Sequence, residues 1–422
     1  MAATAAEALA PLLHRLLGPD PPVALRCWDG SSLGPADAPC TLVVRSPEAL
    51  RHLLWAPGEL GLGRAYVSGL LDLEGDVFAL LATRDRLGRP DEHVEVGLRR
   101  RDLPMVLAAA RRLGALGPRP PRPPEEARLS GRRHSKARDR AAVTHHYDVG
   151  NDFYRLVLGP SLTYSCAHWA DPDGTLEAAQ ESKHRLVAAK LGLGPGMRLL
   201  DVGCGWGTMA MAAALEDATV VGVTLSAEQK DLAEKRVADA GLVDRVTIRL
   251  QDYRDVDDGP FDAISSIGMF EHVGEARART YMEHLAALVR PGGRVLNHAI
   301  SRPPGPAAIG DRSFVGRYVF PDGELLEVGR VVSAMQDAGL EVRDVESLRE
   351  HYALTLRAWV ANLEAGWDEA VRLVGGARAR VWRLYMAGSA VGFEQGRTSI
   401  HQVLGVRPHP DGTSAMPLVR SF

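Results

Sequence analysis

Apolar positions in the second half of the chain repeat with two different periods in turn. Short apolar runs such as MRLLDVG, TVVGVTLS, VTIRLQD, FDAISSIG and RVLNHAI predict buried strands. Between them, segments such as GTMAMAAALE and AEQKDLAEKRVADAGL repeat their apolar residues every three or four positions, which predicts helices. The segment ARARTYMEHLAALVRPGG predicts a further helix that stops at Pro-Gly-Gly. This alternation predicts an α/β fold with a parallel, doubly wound sheet.

The flanking parts of the chain have other patterns. Residues 41–46 (TLVVRS) predict a strand, and residues 47–55 (PEALRHLLW) predict a helix with proline in its first turn. We therefore expect a smaller α+β domain over residues 1–116. The segment TLEAAQESKHRLVAAKLGL predicts a helix that Gly192 closes, and the chain after about Pro303 is mostly helical with a strand near residues 401–406.

A proline-rich and arginine-rich stretch, residues 117–140, separates the two regions. Its prolines favour an extended spacer, so we expect a linker here and a second domain over residues 141–422. The end of the stretch is basic, with Arg128, Arg132, Arg133, Lys136, Arg138 and Arg140. Such a run is typical of a solvated linker, or of a patch for anionic lipid headgroups, and the sequence leaves both interpretations open.

Composition narrows the class of protein. The chain has 422 residues, 45% of them hydrophobic and 24% charged, with a net charge of -3 that gives no basic field for nucleic acid. Its cysteines, Cys27, Cys40, Cys166 and Cys204, lack metal-ligand spacing, so we expect no metal and a reduced compartment. The N-terminus does not resemble a signal peptide, and no apolar run reaches the ~20 residues of a membrane-spanning helix. We expect a cytoplasmic protein, attached at most to the membrane surface.

The stretch LLDVGCGWG at residues 199–207 combines a strand end with three glycines. Glycine at Gly203, Gly205 and Gly207 lets a ligand approach the backbone closely, and ligands of such sheets bind beyond the carboxyl ends of the strands. The spacing differs from G-x-G-x-x-G, which favours a smaller nucleoside over a dinucleotide. The stretch resembles the first motif of class I S-adenosylmethionine methyltransferases, and QDYRD (251–255) and VRPGG (289–293) resemble further motifs.

The second strand of this region departs from the general methyltransferase pattern. It ends in GVTLSAEQ, without the acidic residue that usually holds the ribose hydroxyls. Thr224, Ser226 and Gln229 supply hydrogen bonds there, though without the strength of a carboxylate. Ser226 followed by Gln229 is also typical of a helix N-cap, and the two roles are compatible.

Longer motifs resemble the cyclopropane fatty acid synthase family. They lie in order between residues 144 and 406: HHYDVGNDFYRLVLGPSLTYSCAHW, GVTLSAEQ, GMFEHVG, LNHAIS and HYALTLRAW. The N-terminal GELGLGRAYVSGLLDLEGD resembles the bacterial members that act on phospholipids. The resemblance implies a sterol-carrier-like, lipid-binding N-terminal domain, a helical cover for the acyl chain, and S-adenosylmethionine as cofactor. Its implied cofactor-binding residues are Tyr147, Tyr164, Ser165, Asp201, Gly203, Gly205, Thr224, Ser226, Gln229, Gln251, Asp252 and Tyr253.

The resemblance also implies a reaction. The cis double bond of an unsaturated phospholipid acyl chain attacks the activated methyl group, and the resulting carbocation loses a proton to close a cyclopropane ring. In the family a bound bicarbonate is the base, held by side chains that match Cys166, Glu271, His298 and Tyr352, with a backbone contact from Ile300. Aromatic rings stabilise the cation through their π faces.

Simpler interpretations exist for several of these residues. Cys166 is also typical of a small buried hydrophobe, His298 of a core histidine with satisfied hydrogen bonds, and Tyr352 of plain packing. Glu271 is less easily explained in this way, because it follows an apolar strand at the edge where α/β sites form. Trp206 either packs beside the cofactor or covers the sheet.

Alternative functions remain open at this point. A 1,2-hydride shift before proton loss gives a 10-methylene branch, which a separate reductase partner turns into a methyl branch. HHYD at residues 145–148 and the C-terminal tail resemble that actinobacterial branch. A lipid or S-adenosylmethionine carrier without catalysis and a small-molecule methyltransferase are further alternatives. The resemblance implies a homodimer, peripheral contact with the inner face of the cell membrane, and no nucleic-acid partner.

Overall fold

The computed structural model describes residues 3–18, 21–83, 100–133, 135–147, 149–305, 310, 313–420 and 422, with the backbone alone for 143–147. In chain order its helices are α1 (Ala5–Leu17), α2 (Ala49–Trp55), α3 (Glu59–Val67), α4 (Val77–Ala82), α5 (Leu103–Arg112), α6 (Lys136–Tyr147), α7 (Asn151–Leu158), α8 (Leu176–Leu191), α9 (Thr208–Leu215), α10 (Ala227–Asp239), α11 (Ala278–Leu288), α12 (Phe314–Tyr318), α13 (Val328–Asp337), α14 (Arg349–Ala365), α15 (Trp367–Val374) and α16 (Gly376–Glu394). Its strands are β1 (Val23–Cys27), β2 (Ser32–Leu33), β3 (Cys40–Val44), β4 (Leu71–Gly75), β5 (Arg198–Val202), β6 (Thr219–Thr224), β7 (Val246–Leu250), β8 (Phe261–Ile267), β9 (Val289–Ser301), β10 (Glu341–Ser347) and β11 (Ser399–Val406).

The chain divides into two compact units. The first consists of Met1–Arg128, Asp311–Val319 and Val374–Val391. The second consists of Leu129–Gly310, Phe320–Leu373 and Gly392–Phe422. The domain boundaries expected from the sequence stay a prediction.

The first unit has a small sheet and a helical core of its own. Its strands lie in the order β2-β1-β3-β4, with β1 and β3 parallel and the other pairs antiparallel. Apolar side chains of α1, α2 and α5 pack on this sheet around Leu9, Leu50 and Val106. Burial of such side chains stabilises the unit because it removes apolar surface from water. The likeness of this unit to sterol-carrier domains stays a prediction.

The second unit is built on a larger sheet with the order β10-β11-β9-β8-β5-β6-β7. Neighbouring strands from β9 to β7 are parallel, and β11 and β10 add antiparallel pairs at one edge. The predicted α/β fold with a doubly wound sheet is confirmed. The sequence pattern did not reveal β10, because this edge strand (EVRDVES) carries charges in place of an apolar run.

Helices cover both faces of this sheet. On one face α11 and α13 pack against Leu200, Ile264 and Val295. On the other face α8, α9 and α10 pack against Leu199 and Leu296. Because successive side chains of a strand point to opposite faces, each neighbouring pair of strand residues serves both cores. The apolar strands predicted from the sequence are therefore buried on two sides.

The Pro-Gly-Gly stop predicted for α11 is wrong. The helix ends at Leu288, and Val289 already begins β9, so VRPGG belongs to the strand. Backbone hydrogen bonds from Gly292 N to Arg407 O and from Arg407 N to Gly293 O tie these residues to the end of β11. The glycines therefore permit a close approach of two backbones, and an irregular register between β8 and β9 accommodates the proline.

Part of the basic stretch at residues 128–140 forms ion pairs with acidic side chains of the second unit. Arg133 and Arg138 form ion pairs with Asp322, and Lys136 pairs with Asp255 at 2.6 Å. Residues 136–140 are also helical, as the first turns of α6. These contacts tie Arg133, Lys136 and Arg138 to the second unit, while Arg132 and Arg140 are exposed, and both interpretations of the stretch stay predictions.

Within the described ranges, no helix combines the length and the apolar character that a membrane crossing requires.

Gly192 ends α8, as the sequence predicts, with φ 65° and ψ 38°. A Cβ at this position would lie 2.5 Å from Nη1 of Arg294, which donates to Lys190 O. We expect Gly192→Ala to lower the free energy of unfolding by about 1–2 kcal/mol, because an alanine is strained in the left-handed region. Chemical denaturation measures this value. Gly194→Ala is the matched control, since its Cβ would meet nothing within 4 Å, and an equal loss in both variants would contradict the expectation.

Candidate functional site

A cavity opens where β5, β6 and β8 end. It contains nine of the cofactor-binding residues predicted from the sequence: Tyr164, Ser165, Asp201, Gly203, Gly205, Thr224, Gln229, Gln251 and Tyr253. Parallel strands bring their carboxyl ends to one edge of the sheet, which explains why residues so distant in sequence meet here. The side chain of Tyr147 lies outside the described residues, and Ser226 and Asp252 do not line the cavity.

The glycine loop after β5 forms one wall. Gly203 has φ 75° and Gly205 has φ 54°, a region that other residues rarely adopt. The amides of Gly203 and Cys204 both donate to Val223 O, at 2.9 and 3.0 Å, which fixes the loop against β6. A Cβ on Gly205 would meet nothing within 4 Å. The backbone conformation and the open space beside it together leave room for a ligand.

A polar network forms the tip of β6. The Thr224 hydroxyl donates to Oε1 of Gln229 at 2.8 Å, and both residues line the cavity. Ser226 Oγ accepts a hydrogen bond from the Gln229 amide at 3.2 Å and caps α10. The N-cap expected for Ser226 is thus present, and its role in binding a cofactor stays a prediction.

The QDYRD segment contributes one aromatic wall. Tyr253 lines the cavity, and its ring meets Tyr281 edge-on at 4.9 Å between centroids. The Asp252 carboxylate accepts from the amide, Nε and Nη2 of Arg254, at 2.6–3.0 Å. Asp252 therefore shapes the turn that presents Tyr253, and a direct contact of Asp252 with a cofactor stays a prediction.

Arg236 fixes the segment that carries Tyr164 and Ser165. It donates to Ser161 O at 2.8 Å and to Trp206 O at 2.6 Å, so one guanidinium joins this segment to the glycine loop. Trp206 is buried, and its Nε1 donates to Asn151 Oδ1 at 2.8 Å. Trp206 lines the cavity and is anchored from behind, which agrees with packing beside a cofactor.

Glu271 and Ile300 meet beyond the end of β8. Ile267 is the last β8 residue paired with β9, opposite His298, so β9 continues beyond its neighbour. The Ile300 amide donates to Oε1 of Glu271 at 2.7 Å. Oε2 of Glu271 is buried and has no hydrogen-bond partner among the described residues. Burial raises the pKa of Glu271 to about 7, against the opposing effect of the Ile300 amide.

His298 lies two residues before Ile300 and is 1% exposed. Nε2 of Gln402 is 3.0 Å from Nδ1 of His298. In this orientation of the Gln402 amide its nitrogen donates to Nδ1, which leaves the ring proton on Nε2. Burial, helped by the charges of Lys183 and Lys190, holds the pKa of His298 well below its usual value. Nε2 of this neutral ring is buried and has no hydrogen-bond partner in the described part of the chain.

Cys166 and Tyr352 meet at the carbonyl of Leu348. The Cys166 thiol donates to it at 3.6 Å and the Tyr352 amide at 3.1 Å, while the Leu348 amide donates to Ile400 O at 2.9 Å. Ile400 pairs with Ile300, so the predicted catalytic residues gather around the ends of β9 and β11. Burial raises the pKa of Cys166 well above its usual value, which keeps it a neutral thiol. None of these predicted catalytic residues is among the residues that line the cavity.

Lys183, His184, Met269 and His272 are among the lining residues that sequence reasoning missed. A signal for the first two was present, because Gln180, Lys183 and His184 place three polar side chains on the buried face of α8. In the described residues, no group of three or more His, Cys, Asp or Glu side chains is placed to hold a metal ion.

Known proteins resemble the chain over nearly its whole length. A probable fatty acid methyltransferase of Mycobacterium tuberculosis is 45% identical over 94% of this chain and 94% of that protein. The tuberculostearic acid methyltransferase UfaA1 of the same organism is 35% identical over 97% and 93%. The cyclopropane-fatty-acyl-phospholipid synthase of Escherichia coli is 33% identical over 89% and 90%.

A solved structure and a family match agree with these relatives. The mycolic acid cyclopropane synthase CmaA1, complexed with SAH and CTAB, is 35% identical and has a TM-score of 0.59. The similarity covers 63% of this chain and 97% of that one. The family described as mycolic acid cyclopropane synthetase matches residues 134–403, which include the cavity and the predicted catalytic residues. The chain therefore belongs to this family and is a methyltransferase.

Proposed function

We propose that the chain transfers the methyl group of S-adenosylmethionine to the cis double bond of an unsaturated phospholipid acyl chain and forms a cyclopropane ring. The observation that carries the proposal is the arrangement of the second unit. A cavity with the glycine loop of a nucleoside site lies at the end of β5. A buried carboxylate and a neutral histidine lie at the neighbouring ends of β8 and β9.

The cavity suits S-adenosylmethionine. Oδ2 of Asp201 is buried without a hydrogen-bond partner among the described residues, as expected of a group that awaits a ligand's donor. Thr224 and Gln229 present polar atoms at the tip of the neighbouring strand β6. Tyr253 and Trp206 supply apolar walls. When bound, the cofactor supplies an electrophilic methyl group. The walls exclude water from this group and hold it in a fixed orientation.

The cluster beyond β9 suits a small anion such as bicarbonate. Oε2 of Glu271 and Nε2 of His298 are both buried and lack partners in the described chain, and the Cys166 thiol donates to Leu348 O, next to the strand β11 that pairs with β9. Bicarbonate, when bound, supplies a base for the proton that the new methyl group loses. The N–H of His298 donates to such an anion, and Glu271, with a pKa of about 7, is partly ionised at neutral pH and accepts the proton that the bicarbonate has taken.

Aromatic rings lie between the cavity and this cluster, because Trp359 contacts both Tyr164, which lines the cavity, and Tyr352. The ring of Tyr164 lies 5.3 Å from that of Trp359, and Tyr352 meets Trp359 edge-on at 6.0 Å. Trp359 and Tyr352 are buried. Ring faces attract a cation, most strongly where water is excluded. These side chains therefore suit an acyl chain that carries positive charge during the reaction.

A methylene-branched product is the second candidate. The similarity to UfaA1, which is named a tuberculostearic acid methyltransferase and is matched over 97% of this chain, favours it. The opening methyl transfer is the same, and a hydride shift before proton loss determines the branch. A reductase partner belongs to this candidate only. Homodimer formation and contact with the inner membrane surface stay predictions from the family resemblance.

Product analysis tests the proposal directly. We expect purified protein, given S-adenosylmethionine and vesicles of oleoyl phospholipid, to form acyl chains that are one methylene group heavier and carry a cyclopropane ring. Nuclear magnetic resonance distinguishes ring protons from the olefinic protons of an isomeric methylene branch. An olefinic product would rule out the cyclopropane ring and support the methylene-branched product, the second candidate. Unmodified lipid together with cofactor binding would favour a carrier without catalysis.

Glu271→Gln tests the role of the carboxylate. We expect turnover to fall by at least about 100-fold, because the amide cannot accept the proton, while affinity for S-adenosylhomocysteine is retained. Calorimetry measures the affinity, and release of S-adenosylhomocysteine measures turnover. Glu275→Gln, at an exposed glutamate in the next turn, is the matched control and should leave both values unchanged. Normal turnover in Glu271→Gln would remove Glu271 from the mechanism.

The raised pKa of Glu271 predicts a pH-dependent stability. Burial lifts this pKa from 4.5 to about 7, so the folded state favours the protonated carboxyl. Its contribution is fully present below pH ~4.5 and is lost as the pH rises to about 7. Glu271→Gln lacks this loss, so its thermal midpoint relative to the parent should rise between pH 5 and pH 8. For Glu275→Gln we expect a difference in thermal midpoint from the parent that stays constant over this range. A constant difference for Glu271→Gln would show that the pKa of Glu271 is not raised in the folded state.

A further inference from the structure

Two formal charges remain in the cavity at neutral pH. Among the described lining residues, Lys183 of α8 and Asp201 of β5 are the ammonium and the carboxylate. Burial holds the pKa of His184 well below its usual value and lowers that of His272 to about 4, so both imidazoles are neutral. Burial likewise keeps Cys204 a thiol. One positive and one negative group thus face the same space.

Lys183 lies where α8 crosses the carboxyl end of the sheet. Leu199 packs with the core beneath α8, and Asp201, two residues later, points to the same face of the sheet. Lys183 is 1% exposed and Asp201 is 2% exposed. Burial of a charged group is costly unless it meets a partner of opposite charge. A lysine at this position therefore requires an anion close to the cavity.

Asp201 does not use its full hydrogen-bonding capacity on the protein. The Ser265 hydroxyl donates to Oδ1 at 2.7 Å, and Oδ2 has no partner in the described chain. Burial lowers the pKa of Lys183 to about 8, opposed by the charge of Asp201, so the ammonium is still the main form at pH 7. The two residues thus offer a cation and a free carboxylate oxygen side by side.

We propose that Lys183 binds the carboxylate of the methionyl end of S-adenosylmethionine, while Oδ2 of Asp201 takes its α-ammonium. The proposal rests on the proposed function, in which this cavity holds that cofactor. The methionyl end is a zwitterion, and the two charges of the cavity match it in number and in sign. Thr224 and Gln229 line the part of the cavity at the tip of β6, which leaves the adenosine there and the amino acid beside α8.

The alternative role for Lys183 is that of a structural partner for Asp201 alone. Ligands that lack single groups separate the two roles. Decarboxylated S-adenosylmethionine keeps the α-ammonium and lacks the carboxylate, and 5′-methylthioadenosine lacks the whole amino acid. Only a direct contact of Lys183 with the carboxylate makes the effect of its substitution depend on that group.

Calorimetry with the full-length protein measures this coupling. We expect Lys183→Met to weaken S-adenosylmethionine by about 10–100-fold, the effect of a lost charge-assisted hydrogen bond. The affinity of Lys183→Met for decarboxylated S-adenosylmethionine should differ from that of the wild-type protein by less than about twofold. Its affinity for 5′-methylthioadenosine should be unchanged. Lys190→Met is the matched control, because it removes another buried ammonium of α8 that pairs with Asp344 and Glu346 and does not line the cavity.

Three results overturn or separate the proposals. If Lys183→Met loses the same affinity for S-adenosylmethionine as for its decarboxylated analogue, Lys183 acts only as the partner of Asp201. If wild-type protein binds neither S-adenosylmethionine nor 5′-methylthioadenosine, the proposed function itself fails. If Lys183→Met does not fold, the same measurements on Lys183→Gln test the proposal. The preference of the wild-type protein for S-adenosylmethionine over its decarboxylated analogue tests it as well. A wild-type protein that binds the decarboxylated analogue as tightly as S-adenosylmethionine would overturn the inference.

Discussion

The hydrogen bond from the Ile300 amide to Glu271 depends on a difference in strand length. Because β8 stops at Ile267, the amide of Ile300 has no strand partner on that side and takes a side-chain oxygen instead. A carboxylate is thereby held in the interior by a single backbone donor. His298 is the last β9 residue that pairs with β8, directly before this overhang, and its buried Nε2 has no hydrogen-bond partner among the described residues. The proposed catalytic cluster thus follows from the different lengths of β8 and β9.

Desolvation is the common cause of the unusual titration in this unit. It raises the pKa of Glu271 and Asp201, lowers that of Lys183 and His298, and keeps Cys166 protonated. In each group burial favours the neutral form, and for Glu271 this brings the pKa to about 7, as the proposed proton transfer requires. The protein maintains these groups against their preference for water through the apolar cores on both faces of the sheet.

Local patterns predicted much of the fold, because strand and helix periods depend on burial alone. The β5 to β9 alternation and the glycine loop followed from such patterns. The strand β10 escaped because its edge position tolerates charge, and the Pro-Gly-Gly turn was misassigned because its partner, Arg407, is distant in sequence. Glu271, His298 and Tyr352 came from family resemblance, since their meeting depends on tertiary contacts. Lys183 was missed because a single lysine in a helix usually faces solvent.

With the ribose placed at the tip of β6 as proposed, this strand end affects the release of spent cofactor. Its neutral donors and acceptors, Thr224 and Gln229, stand where many related enzymes use a carboxylate. The ribose is identical before and after methyl transfer, so a weaker grip on it loosens substrate and product equally. Discrimination between the two then falls to the sulfur, whose positive charge disappears on reaction. Because both molecules bind less tightly by the same factor, their competition for the cavity is unchanged, and the by-product leaves faster.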